Sequence, residues 1–219
     1  MRSITILLSL LLCVNLGAQK SKTVISIWQE NADENPDTSF VEYSFHQKGR
    51  IYYFLSNNNE YVWFLIKTSD HKVQNAILKS GMTLWIDMDN KEGMKLGVRY
   101  PVGSLNQTKT AGLPDENNNS NTNPKDFIAQ ANTIELIGFI GEEARRFPSD
   151  NYDNFRGLMS FDANGTLHYL LRMPAIKLPL RNSKDGVGAM PFSLGVQFGS
   201  DGNKSDPIWI KNVRLATGL

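Results

Sequence analysis

Short runs of β-branched and aromatic residues, each cut off by Gly, Asn or Asp, recur from one end of this 219-residue chain to the other. That rhythm is the signature of strands joined by tight turns, and it leaves little room for long helices. Eleven runs are expected to be strands: residues 23–28, 40–47, 50–55, 61–68, 83–87, 95–99, 133–139, 157–161, 167–173, 192–198 and 208–215. Lys48-Gly49, Asn57-Asn58-Asn59, Asp89-Asn90 through Gly93, and Asn164-Gly165 supply hairpin chemistry between neighbouring runs. Connections this short impose antiparallel pairing, because a parallel crossover needs about a dozen residues or more.

The run 61–68 is apolar on both faces up to Ile66, so it is expected to be central and covered on both sides. Two short helices are expected. Val73, Ala76 and Ile77 share one helical face before Gly81, a C-terminal capping residue, and Asn123-Pro124 opens a helix to about Gln130. Such helices cover the ends of a sandwich and cannot make a βαβ layer. Residues 115–123 carry no apolar side chain and are expected to be a solvated excursion. No repeat of fixed period occurs. The expected fold is all-β: one antiparallel sandwich, jelly-roll or immunoglobulin-like, spanning residues 19–219.

Residues 1–18 read as a signal peptide. Arg2 gives the positive start, Ile4 to Val14 the apolar stretch, and Leu16-Gly17-Ala18 the small-residue cleavage site. A membrane anchor needs roughly 18 apolar residues in a row, and this stretch is shorter. Cys13 lacks the small preceding residue of a lipidation site, since Leu10-Leu11-Leu12 stands before it. The expected location is therefore secreted, periplasmic or at the cell surface, with no membrane span in the mature chain. The sequons at Asn106, Asn118, Asn164 and Asn203 all fall in turn-like segments and mark surface loops.

The balance of 23 Lys+Arg against 22 Asp+Glu excludes a nucleic-acid binder, which needs a basic excess to neutralise phosphates. Loss of Arg2 and Cys13 with the leader leaves a neutral chain without cysteine, which excludes disulfides, thiol catalysis and cysteine-ligated metal. Residues 87–93 begin like a calcium loop, but Lys91 sits at a ligand position and Glu92 replaces the required glycine. Residues 201–206 form a second oxygen-rich turn. No cofactor is expected, structural calcium in one of these turns being the alternative kept open. His46, His71 and His168 have no metal-ligand spacing, no G-x-S-x-G is present, and Glu142-Glu143 and Asp150 to Asp153 sit in polar loops. The chain is not expected to be an enzyme.

The aromatics stand out: Trp28, Trp63, Trp85 and Trp209, with Tyr52, Tyr53 and Tyr100. Sugars stack their C–H faces on such rings while Asn, Asp, Arg and Gln bind their hydroxyls. Trp85 shares its strand face with Thr83 and Asp87, whereas Met82, Leu84 and Ile86 take the other, so Trp85 is expected to face away from the core. Trp63 is expected inside. The candidate ligand-binding residues are Trp85 and Asp87 with Arg99 and Tyr100 from the neighbouring run.

The stretch Tyr61 to Asp70, a short helix, then Gly81-Met82-Thr83-Leu84-Trp85-Ile86-Asp87 resembles the family 9 carbohydrate-binding-module-like domains. With Met94 to Pro101 following, it also looks like secreted proteins of Bacteroidetes. The resemblance implies a sandwich and a non-catalytic binding role. It points as well to the related DOMON domains, some of which hold haem through a Met and a His; His71 or His168 would supply the histidine here. The function expected is binding of a carbohydrate or similar polar ligand, with a structural or assembly role beside an envelope protein, or a haem module, as the alternatives.

Overall fold

The structure is a computed structural model and describes residues 23–30, 35–39, 41–103, 124–139, 143–150, 153–178, 190–199 and 205–217. The expected leader, residues 1–18 with Cys13, the stretch 115–123 and the sequons at Asn106, Asn118 and Asn203 lie outside the described residues. Asn164 lies in an exposed turn.

Thirteen strands are present among the described residues: β1 (Val24–Ile25), β2 (Ile27–Trp28), β3 (Ser44–His46), β4 (Ile51–Asn57), β5 (Tyr61–Thr68), β6 (Met82–Asp87), β7 (Leu96–Arg99), β8 (Thr133–Ile137), β9 (Arg145–Pro148), β10 (Arg156–Phe161), β11 (Leu167–Pro174), β12 (Phe192–Phe198) and β13 (Ile208–Arg214). They form two sheets. The seven-stranded sheet runs β1-β13-β12-β6-β7-β8-β9, and the six-stranded sheet β10-β11-β5-β4-β2 with β3 also on β4. All four expected hairpins join antiparallel neighbours: β3 to β4, β4 to β5, β6 to β7 and β10 to β11. Two pairings are parallel, β1 with β13 and β2 with β4, and neither joins consecutive strands. The fold is thus the expected all-β sandwich, with mixed pairing at two edges.

One apolar core lies between the sheets. Val62, Phe64 and Ile66 on β5 and Tyr169 and Leu171 on β11 meet Leu84 and Ile86 on β6, Val98 on β7 and Val196 on β12, all nearly inaccessible to solvent. Each such side chain contributes about 1.5–3 kcal/mol on leaving water. β5 is buried on both faces, as expected, but its odd residues serve a different cluster: Trp63 and Leu65 pack with Phe54 against Val41, Tyr43 and Leu170 on the outer side of the six-stranded sheet.

The first expected strand splits in two at Ser26. The chain leaves the edge of one sheet there and joins the edge of the other, so this short segment ties the layers together. Ser26 Oγ donates to Asn57 Oδ1, which also accepts from the Ala216 amide at 3.1 Å. The first helix begins earlier than the apolar spacing indicates. Asp70 caps it by accepting from the Lys72 and Val73 amides at 2.9 and 3.1 Å, giving α1 (His71–Asn75), which continues as a π-helical turn, Ala76–Ser80. Gly81, at φ 84°, ends it. The second helix, α2 (Pro124–Gln130), starts at the proline. No helix among the described residues is long and apolar enough to cross a membrane.

Candidate functional site

Alternation along the strands gives the seven-stranded sheet an outer face, opposite the core, with an unusual make-up. Thr83, Trp85 and Asp87 of β6 point there while Met82, Leu84 and Ile86 join the core. Register places Trp209 of β13 beside Gly195 of β12, Gly195 beside Trp85, and Trp85 beside Gly97 of β7. Tryptophan and glycine therefore alternate along one row across four strands.

The glycines set how the rings lie. A Cβ on Gly195 would come within 2.8 and 2.9 Å of Cζ3 and Cη2 of Trp209, and one on Gly97 within 2.6 and 2.8 Å of Cε3 and Cζ3 of Trp85. Each indole thus rests against bare backbone. Trp85 Nε1 donates to Gln197 Oε1 at 2.9 Å, fixing the inner ring. Trp85 is only 6% exposed, so it forms the floor of the row, whereas Trp209 is half-buried and presents the reachable ring.

Beside the aromatic row runs a polar one, Gln197–Thr83–Arg99–Glu135–Arg146, one residue from each of five adjacent strands. Arg99 Nε donates to Thr83 Oγ1 at 3.1 Å and its Nη1 to Glu135 Oε2 at 2.6 Å, while Arg146 Nε donates to Glu135 Oε1 at 2.8 Å. Arg99 and Glu135 are buried; Arg146, with 47% of its side chain exposed, carries the relay to solvent. Charge taken out of water is held only where such hydrogen bonds replace hydration. Trp209 on β13 stands roughly 24 Å from Arg146 on β9, and the polar side chain on the strand next to it is Gln197 of β12; a flat aromatic ring beside an amide is chemistry that recognises a sugar ring.

Asp87, the third residue of this face, is engaged by its own turn. Its Oδ1 accepts from the Asp89 amide at 3.1 Å and its Oδ2 from the Gly93 amide at 3.0 Å and from the Lys91 amide. Asn90 and Glu92 adopt positive φ to allow this, and Asn90 Nδ2 reaches Asn212 Oδ1 at 2.8 Å. The turn that began like a calcium loop thus folds around its first carboxylate with backbone amides as the partners. Burial opposes ionisation of Asp87, but the amides of Gly93, Asp89 and Lys91 together outweigh it and hold the carboxyl below the usual range. A depressed folded-state pKa gives stability that is present above the unfolded value of about 3.9 and is lost as pH falls through the folded one. Asp87→Asn is therefore expected to unfold at lower urea than the wild type near neutral pH, with the gap closing below about pH 4. A gap that stays constant with pH in parallel urea titrations would show that the loss does not come from the ionised carboxylate.

Tyr100 does not join the other three candidates. Its ring is in the core, 5.7 Å from that of Tyr169 and over Gly157. Burial pushes its phenol up to about 12, against a hydrogen bond with Ser149 that acts the other way. The structure therefore brings Trp85, Asp87 and Arg99 to one face and turns Tyr100 to the opposite one. The histidines considered for haem have polar neighbours nearby in the chain: His71 Nδ1 lies 3.1 Å from Gln74 Oε1, and His168 Nε2 3.1 Å from Asp162 Oδ2. Most of the turn 201–206 lies outside the described residues, as does Glu142. Trp209, Gln197, Glu135 and Arg146 were not among the sequence candidates. Gly97 and Gly195, isolated glycines inside strand patterns, were the signal of a close approach there.

No protein-family model matches the chain, and no curated protein matches it. Among solved structures it is similar to a carbohydrate binding module family 9 from Caldicellulosiruptor kristjanssonii in complex with glucose, with a TM-score of 0.41 and 10% identity, covering 90% of this chain and 97% of that one. A carbohydrate binding module family 9 from the same organism in complex with cellotriose gives a TM-score of 0.40 at 10% identity, with 90% and 95% covered. Similarity at this level assigns no family and no ligand.

Proposed function

We propose that this is a secreted, non-catalytic domain that binds neutral carbohydrate on the outer face of its seven-stranded sheet. The observation that supports the reading is the Trp209–Gly195–Trp85–Gly97 row, in which glycines let two indoles lie against the sheet beside a relay of arginine and glutamate. Trp209 supplies the stacking ring, Trp85 holds the floor, and Gln197, on the strand next to Trp209, is the polar side chain beside the ring. Secretion rests on the leader-like residues 1–18.

A glycan array with the purified protein and Trp209→Ala tests this. The wild type is expected to bind neutral oligosaccharides, and the variant about thirtyfold more weakly, or ~2 kcal/mol, as for an aromatic anchor. Trp209 is half-buried and off the main core, so the variant stays folded. Absence of binding by the folded wild type, or equal binding by both proteins, would end the proposal.

A second reading, an assembly component beside an envelope protein, is favoured by one feature. Phe45 and Tyr52 are 53% and 47% exposed, and their rings pack tilted against each other with centroids 4.8 Å apart on the six-stranded sheet, an exposed apolar pair.

A further inference from the structure

The six-stranded sheet carries its own cleft, of about 390 Å³, on its outer face. Register aligns Tyr52, Lys67, His168 and Ser160 in one row across β4, β5, β11 and β10, and Phe54, Leu65, Leu170 and Leu158 in the next. The cleft opens over these two rows, with Tyr43 and Thr38 from the preceding segment closing one side.

Its charge is one-sided. Lys67 is half-buried, its ammonium 4.1 Å from the centre of the Tyr43 ring, and among the described residues no carboxylate pairs with it. His168 lines the cleft with 35% of its side chain exposed, and its partner Asp162 stands outside it. Asp162 is held ionised by the Thr166 amide first and by His168 second, so it is already matched. Among the described residues, none that lines the cleft is acidic. A half-buried cation without a counter-ion favours an anion. Leu158 and Leu170, both half-buried, offer an apolar floor, while the Thr38 and Ser160 hydroxyls and the His168 ring surround it with hydrogen-bonding groups. A carboxylate on an alkyl chain would use none of those polar groups, whereas one on a sugar ring meets both sets, the Thr38 side chain being shared with Tyr43 and His168 Nε2 with Asp162.

We infer that this cleft binds a hexuronate unit, its carboxylate on Lys67, its C–H face on Leu158 and Leu170, and its hydroxyls on Thr38, Ser160 and His168. The site lies on the other sheet from Trp209 and does not depend on the reading given for that face.

Amide NMR titration of the protein with glucuronate, glucose and octanoate tests the inference, on the wild type and on Lys67→Met, Lys67→Arg and Trp209→Ala. Glucuronate is expected to shift amides in residues 158–160 and 168–170 saturably, with glucose and octanoate at least about tenfold weaker there. Lys67→Met should weaken glucuronate by about tenfold or more, Lys67→Arg should retain most of the affinity, and Trp209→Ala should leave it unchanged. Equal affinity for glucuronate and glucose, tighter octanoate, or an unaltered Lys67→Met would overturn the inference. The comparison of three ligands on the unaltered protein decides the matter even if a variant folds poorly. Loss of neutral-glycan binding in Trp209→Ala with glucuronate intact separates the two sites.

Discussion

Glu135→Ala is expected to lower stability by about 3–5 kcal/mol, the range for removing one partner of a buried ion pair. Both Glu135 oxygens accept from arginine, Arg99 at 2.6 Å and Arg146 at 2.8 Å, and Arg99 has only 4% of its side chain exposed. Alanine removes the carboxylate that the two guanidinium groups share, and the buried one cannot turn to water without breaking its bond to Thr83. Arg146→Ala should cost far less, about 0–1 kcal/mol, because that group is half in solvent and already hydrated. In thermal melts the first change corresponds to roughly 10 °C for a domain of this size. Equal small losses in both variants would mean that the relay is solvated like a surface pair, and its role in shaping the outer face would be gone. The relay bears on function as well as on folding. Through Arg99 and Thr83 it adjoins the Trp85 floor of the aromatic row, so Glu135→Gln, which keeps the shape and drops the charge, should weaken neutral-glycan binding before it unfolds the protein.

What the sequence made legible follows the range of each interaction. β5 and β12 coincide with the expected runs at both ends, because apolar alternation and flanking Asn or Gly are local signals. β9, Arg-Arg-Phe-Pro, was missed. An edge strand is protected by charge and proline, which make it look like a loop. The break at Ser26 was equally hidden, since it is caused by Asn57, far along the chain. In the candidate site, alternation along β6 was enough to turn Trp85 outward. The same rule applied to β7 puts Tyr100 on the face of Val98, which is where the core lies. Trp209 could not be paired with Trp85 from sequence, because strand order β13-β12-β6 and its register are products of the whole sheet. The burial of that face was hidden for the same reason: no local pattern reports which strands stand on either side.

Gly157→Ala is expected to cost about 3 kcal/mol, at the upper end for overpacking a closed site. The added Cβ would meet three atoms of the Tyr100 ring, Cγ, Cδ1 and Cδ2, at 2.4, 2.5 and 2.7 Å. Tyr100 follows β7 in one sheet and Gly157 belongs to β10 in the other, so the contact spans the core and relief requires the sheets to part or the ring to turn. The ring is held: it is 3% exposed, it packs against Tyr169, and Gly157 itself is tied by its amide to the Ser149 carbonyl at 2.9 Å. Gly195→Ala makes a useful contrast, because its Cβ meets Trp209 less deeply, at 2.8, 2.9 and 3.0 Å, and that ring is half-buried and can lift. There the loss should be within about 1 kcal/mol in stability and should appear instead as weaker glycan binding, the lifted ring no longer lying flat. Urea titration of the two variants, with a Gly157→Ala, Tyr100→Leu double variant that should regain part of the loss, separates these cases. Equal effects of Gly157→Ala and Gly195→Ala on stability would mean that the two rings are equally free, and the division of this sandwich into a locked interior contact and a movable outer ring would fail.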